Sequence, residues 1–252
     1  MKYINIIMLF VFLTVFAAKS NAELNSIDII CDEWPPYQVV ENNQLKGFST
    51  RVVKIVFKRM KVGIKSIKVY PWIRAMIMIE KGKADALFSA NYTKDRTKFA
   101  FYPGEKIVDS PWVMWVREED DLKFESFDDL SGKKIGIVRG YSYTPDFWVF
   151  LKKHNNYDEI ANDELNFRKL NVGRVDFIPA ELGNGSHLVK KLGFNKIIPL
   201  KKNPLKSDSL YIIFSKKNVS KSFVDKFSKE LKQFKQEALY TSLYNEYFKS
   251  SP

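Results

Sequence analysis

The sequence contains one cysteine, Cys31, two histidines, His154 and His187, and a single long apolar run, which lies at its start. One cysteine excludes an intramolecular disulfide, and its place in the apolar stretch 27–31 makes it a small buried hydrophobe rather than a reactive thiol. Lipid attachment would need that cysteine directly at a leader cleavage point, whereas it lies nine residues beyond Ala22. Two histidines in polar surroundings give little support to a histidine metal site or a serine-histidine triad, so no metal and no catalytic residue is expected. Basic residues outnumber acidic ones by 41 to 29, but the lysines are scattered among acids without a long basic block or a zinc-type spacing. Nucleic acid is therefore not an expected partner. With 45% apolar residues, the 252-residue chain is not disordered throughout and can build one large or two small domains.

The N-terminal run has its own logic. Lys2 precedes an apolar stretch over 4–18, and Ser20-Asn21-Ala22 puts small residues at the two positions a signal peptidase inspects. This pattern predicts a signal peptide over 1–22, cleavage before Glu23 and release into the periplasm. The alternative, an N-terminal membrane anchor, must contend with a run of about 15 residues against the ~20 that span a bilayer. Cleavage removes Lys2 and Lys19, so the formal charge of +12 falls by 2 to +10.

Strand and helix alternate along the rest of the chain. The apolar stretch 27–31 ends at Asp32-Glu33-Trp34-Pro35-Pro36-Tyr37, where two prolines forbid helix. After a turn at Glu41-Asn42-Asn43, Gly47-Phe48 leads into Val52, Val53, Val56, Phe57 and Met60, the three-and-four spacing of an amphipathic helix. A strand over 64–70, a helix over 72–80 closed by Gly82 and a strand over 84–89 complete a βαβαβ series. Such alternation implies a parallel or mixed sheet flanked by helices, with ligands bound at strand ends.

The second half repeats the grammar. It predicts a helical turn over 127–130, a strand over 134–138, a loop at Gly140-Tyr141-Ser142-Tyr143, and helices over 145–153 and 163–171. Gly82-Lys83-Ala84-Asp85 followed by an apolar strand is echoed by Gly173-Arg174-Val175-Asp176 followed by another. Extended stretches are expected over 107–116 and 210–214. A final helical stripe runs through Phe223, Val224, Phe227, Leu231 and Phe234 and continues through Leu239, Leu243, Tyr244 and Tyr247.

In their order and spacing these pieces resemble the bacterial extracellular solute-binding proteins of family 3, the polar-amino-acid-binding components of ABC transporters. The series comprises the leader, Glu33-Trp34-Pro35-Pro36-Tyr37, Gly47-Phe48, Pro71-Trp72-Ile73-Arg74-Ala75, Gly82 to Asp85, and Thr93-Lys94-Asp95-Arg96. It continues with the stretch from Gly132 to Gly140, Gly173-Arg174-Val175-Asp176 and the tyrosine-rich last helix. The resemblance covers 27–248. It implies the two-lobe type II periplasmic binding protein fold, an α/β architecture in which each lobe is a mixed sheet flanked by helices and two strands form the hinge. Carried over, the first lobe is 23–108 plus 208–252, and the second is 109–207.

The same resemblance implies site residues. Arg96 holds the ligand carboxylate, a role that a planar guanidinium fork suits. Ser89 and Asn91 add hydrogen bonds to that carboxylate, Ser142 adds a contact from the other lobe near a helix N-terminus, and Glu181 meets the amino group. Trp34 and Trp72 sandwich the ligand, and Arg74 either faces the cleft or pairs with a nearby acid. Two departures from the family pattern stand out: Ser49 replaces an acid, and the loop 85–96 is one residue shorter. The implied function is capture of a small polar solute, an amino acid or relative, by lobe closure, without a cofactor, by a monomer that delivers it to the membrane permease of an ABC transporter. Two alternatives share the fold: a cyclohexadienyl dehydratase-like enzyme with Glu181 as its acid, and a ligand-sensing module for a separate receptor.

Overall fold

The computed structural model describes residues 24–248; the expected leader and cleavage point lie outside them. In chain order the elements begin with β1 (Ser26–Cys31), the hairpin β2 (Val39–Glu41) and β3 (Gln44–Lys46), α1 (Phe48–Arg59), β4 (Gly63–Val69), α2 (Trp72–Glu80), β5 (Ala86–Asn91) and β6 (Ala100–Phe101). The long β7 (Val108–Arg117) then leads to β8 (Ile135–Val138), α3 (Pro145–His154), β9 (Tyr157–Ile160), α4 (Asp163–Asn171), β10 (Ile178–Glu181), α5 (Leu182–Leu192) and β11 (Ile197–Leu200). The equally long β12 (Lys206–Ser215) returns to α6 (Lys221–Phe234) and α7 (Ala238–Phe248).

The two halves have the same strand order. In the first lobe β4, β1, β5, β12 and β6 lie side by side, with β4, β1 and β5 parallel and β12 antiparallel to β5 and β6. In the second, β9 and β8 run parallel, Ile135 of β8 bridges Phe177 just before β10, and β7 lies antiparallel to β10 and β11. The echo of Gly82 to Asp85 in Gly173 to Asp176 thus marks equivalent helix-to-strand links. β7 and β12 pair with each other where they cross between the lobes, from Lys206 opposite Trp112 to Leu210 opposite Val108. The boundaries expected at 108/109 and 207/208 fall inside these crossing strands.

Helix starts are satisfied locally. Thr144, Asn162 and Ser220 accept from Phe147, Leu165 and Phe223 amides at the starts of α3, α4 and α6. α1 is different, because its N-cap is Gly47, which has no side chain to offer. Its free amides are taken by the loop after β1: Phe48 N–H donates to Pro36 O at 2.9 Å and Ser49 N–H to Tyr37 O at 2.9 Å. The start of α1 is held in turn by aromatic rings of α7, since Phe48 meets Tyr244, Tyr247 and Phe248 edge-on at 5.2 to 6.2 Å. The predicted C-terminal stripe divides into two helices, and the bend is fixed by Lys235 reaching Glu105 and Glu237 pairing with Arg59.

Cys31 is buried, and burial, reinforced by the charges of Asp32 and Glu33, pushes its thiol well above the ordinary range. A thiol reagent should therefore leave the native protein unmodified and react stoichiometrically only after denaturation, as followed by mass spectrometry. Rapid labelling of the folded protein would contradict this burial.

Candidate functional site

The ends of β1 and β5 from the first lobe and the loop after β8 from the second converge on a small chamber. Its walls are Asp32, Trp34, Trp72, Ser89, Asn91, Arg96, Trp112, Tyr141 and Ser142. Six of the eight residues singled out from the sequence therefore line one cavity.

A bulge aims the polar wall. Between the pairs Leu87–Ile213 and Ala90–Tyr211, β5 carries one residue more than β12, and Ser89 adopts a left-handed φ of 62°. That turn brings Ser89 Oγ to Gln38 Oε1 at 2.7 Å, while Gln38 Nε2 donates to Asp32 Oδ1 at 2.9 Å. The Arg96 side chain is folded under the same strand end. Its Nη1 donates to Asn91 O at 2.7 Å and its guanidinium carbon lies 5.1 Å from the Trp72 ring centre. Arg96 is only 8% exposed, and among the described residues no carboxylate lies within ion-pair distance of it. A buried guanidinium with unfilled donors is suited to an anion.

Asp32 is the acid of the chamber. It has no cationic partner among the described residues, and burial raises it to about 6 against the lowering effect of the Gln38 bond. The aromatic wall is continuous: Trp34 stacks between Tyr37 at 4.9 Å and Trp112 at 6.3 Å, and Tyr141 meets both tryptophans edge-on. Asp32, Trp34, Trp72 and Tyr141 also line an outer cleft of about 1270 Å³ that holds Glu33, Asp163, Glu164, Asn184 and Lys191. They form the partition between the two spaces.

Two expected residues lie elsewhere. Arg74 is exposed on α2 and stacks over Tyr70 at 4.7 Å, outside the chamber lining. Glu181 is buried behind the chamber, where Tyr37 Oη donates to it at 2.8 Å and the Asn184 amide at 2.7 Å. It caps α5 and lines a separate groove with Pro36, Tyr37 and Gly183. Two donors converging on the carboxylate explain that orientation. Ser49 also stays out of the chamber, buried in α1. Sequence reasoning passed over Asp32, Trp112 and Tyr141. Their signals were faint: Asp32 and Tyr141 adjoin chosen motifs, whereas Trp112 is one of several aromatics in a hinge strand.

Comparison with known proteins agrees with this architecture. The model of the bacterial extracellular solute-binding proteins, family 3, matches residues 28–250, and the chain belongs to that family. Among curated proteins it is similar to the probable amino-acid-binding protein YxeM of Bacillus subtilis (strain 168), at 23% identity over 84% of this chain and 80% of that protein. Among solved structures it resembles one from a study of glutathione import via GshT and the cystine ABC importer TcyBC of Streptococcus mutans. The TM-score is 0.78 at 21% identity, covering 88% of this chain and 94% of that one. An ancestral arginine-binding protein bound to arginine gives 0.76 at 20% identity, covering 90% and 99%. These structural likenesses establish the type II binding-protein fold. The chain is accordingly a solute-binding protein of an extracellular family, and among the described residues no helix is long and apolar enough to cross a membrane.

Proposed function

We propose that the protein captures a small zwitterionic solute, an amino acid or close relative, and hands it to the permease of an ABC-type importer. The observation that carries this reading is the pairing, in one aromatic-walled chamber, of a buried guanidinium without an anion and a buried carboxyl without a cation. The ligand carboxylate would sit on Arg96, with Ser89 and Asn91 beside it and Ser142 closing from the second lobe. The ammonium would meet Asp32 in place of Glu181. Trp34, Trp72, Trp112 and Tyr141 would enclose the remainder. The YxeM likeness supports the ligand class and the family supports the importer. A cleaved leader over 1–22, periplasmic residence, a monomeric state and lobes divided at 108/109 and 207/208 complete the proposal. Glu181 lies outside the chamber, which favours a binding role over the dehydratase alternative.

A thermal-shift panel of amino acids, polyamines and small carboxylates tests this on refolded mature protein. An amino acid at 100 times its Kd should add about 2.7 kcal/mol of apparent stability. Stabilisation by polyamines alone, or by dicarboxylates alone, would overturn the zwitterion reading.

A further inference from the structure

The first lobe reaches across the cleft mainly through one loop. Trp34 Nε1 donates to Asp163 Oδ2 at 2.9 Å, Tyr37 Oη donates to Glu181 Oε1 at 2.8 Å, and Asn184 Nδ2 donates to Pro35 O at 2.6 Å. All three second-lobe partners lie at the N-terminal ends of α4 and α5. Asp163 also accepts from Tyr141 Oη at 2.7 Å, so one carboxylate holds two of the three rings of the partition between chamber and outer cleft. Neither acid lines the chamber.

We propose that Asp163 and Glu181 are positioning residues that latch the Trp34–Tyr37 loop onto the second lobe, and that closing this latch takes up protons. The latch acts on enclosure of any ligand and does not depend on the zwitterion reading. Its chemistry follows from what faces the two acids. Around Asp163 stand the donors Trp34 and Tyr141, the phenol of Tyr143, the carboxyls of Asp32 and Glu181, and, along the outer cleft, Glu33, Glu164 and Lys191. Lys191 is engaged by Glu164 at 3.2 Å. Around Glu181 stand Tyr37, the Gly183 and Asn184 amides and Asp163, with Asp109, His187, Lys190, Lys191, Lys201, Tyr244 and Tyr247 along the groove behind. Among the described residues no cation pairs with either acid, so closure transfers both from water to a polar but uncompensated seam.

The direction is therefore set. Burial raises Asp163 to about 6 and Glu181 to about 7 in the closed form, whereas carboxyls facing water in an open cleft titrate near ~4. A group raised on closing favours closure at acid pH and withdraws that support as pH climbs through its closed-state value. Tyr37 and Tyr141, pushed upward by burial, keep their protons throughout.

The test is small-angle X-ray scattering of the refolded, ligand-stripped mature protein across this range. The closed-to-open ratio should fall by about tenfold or more between about pH 5.5 and about pH 7.5. The combined variant Asp163→Asn, Glu181→Gln should cut the fall to the few-fold change that Asp32, raised to about 6 in the closed chamber, still contributes. Tyr37→Phe removes one cross-lobe bond and leaves both acids, so it should shift the profile toward the open form at every pH; this arm decides if the double variant fails to fold. His187→Gln should retain the slope, since burial lowers the His187 imidazole below its ordinary range and, among the described residues, it makes no hydrogen bond to the loop. A flat profile in the parent, or an unchanged slope in the double variant, would overturn the proposal.

Discussion

Arg96→Ala is expected to abolish the ligand-dependent thermal shift and to weaken binding by about 100-fold or more. Arg96, itself buried, offers its free donors to an anion in the chamber, and removing one partner of such a buried pair costs about 3 to 5 kcal/mol because the other charge stays buried. Arg96→Lys keeps the charge but loses the planar fork, so about a tenfold loss is expected. The ligand-free variants should melt near the parent, because the carbonyl of Asn91 keeps its bond from Tyr102 Oη at 2.9 Å. Arg74→Ala, on the exposed face of α2, should change affinity by less than about twofold. Isothermal titration with the ligand found in the panel separates these outcomes. Equal affinity in Arg96→Ala and the parent would remove the anion site from the chamber.

Gly47→Ala should be the most destabilising single methyl addition near the site. Gly47 has φ 109°, and a Cβ there would stand 2.5 Å from Tyr37 O and 2.9 Å from Gln38 Cα. Both atoms are backbone, and the same carbonyl accepts the Ser49 amide, so the loop cannot yield without uncapping α1. Strain and overpacking together should cost about 3 kcal/mol or more, a fall of about 10 °C in melting temperature for a chain of this size. Gly63→Ala is the control, with ordinary contacts of 3.5 Å or longer and an expected change within about 0.5 kcal/mol. Calorimetry of both variants settles the comparison. A parent-like melt for Gly47→Ala would mean that the Tyr37 loop is not held against α1 as described.

The alternation of strand and helix was legible because apolar spacing switches cleanly between periods, as in the buried β5 and the Val52–Phe57 face of α1. α5 was missed because Leu182-Gly183-Asn184-Gly185-Ser186 reads as a turn. Gly185 is there because a Cβ would lie 2.3 Å from the Trp115 ring, a packing demand that no local pattern reveals. β12 begins earlier than its apolar stretch: Lys206 to Ser209 are polar yet pair with β7 at the crossing. At the chamber, Arg96, Ser89 and Asn91 were singled out through their order in a family-like series, not through any property of their own. Asp32 became visible only when folding brought Gln38 back to it. Glu181 lies outside the chamber lining because its orientation depends on Tyr37, a residue 144 positions away in the chain.

The shared hinge also has a consequence for the order of assembly. The first lobe's sheet is incomplete until β12 takes its place between β5 and β6, and that strand is made only after the entire second lobe. A chain emerging N-terminus first therefore cannot seal its first core early, whereas β7 to β11 supply every strand that the second sheet needs. The first core thus stays unsealed until β12 has been made, even where the second lobe has already completed its own sheet. The strands on which the cleft closes are also the ones that postpone the folded state.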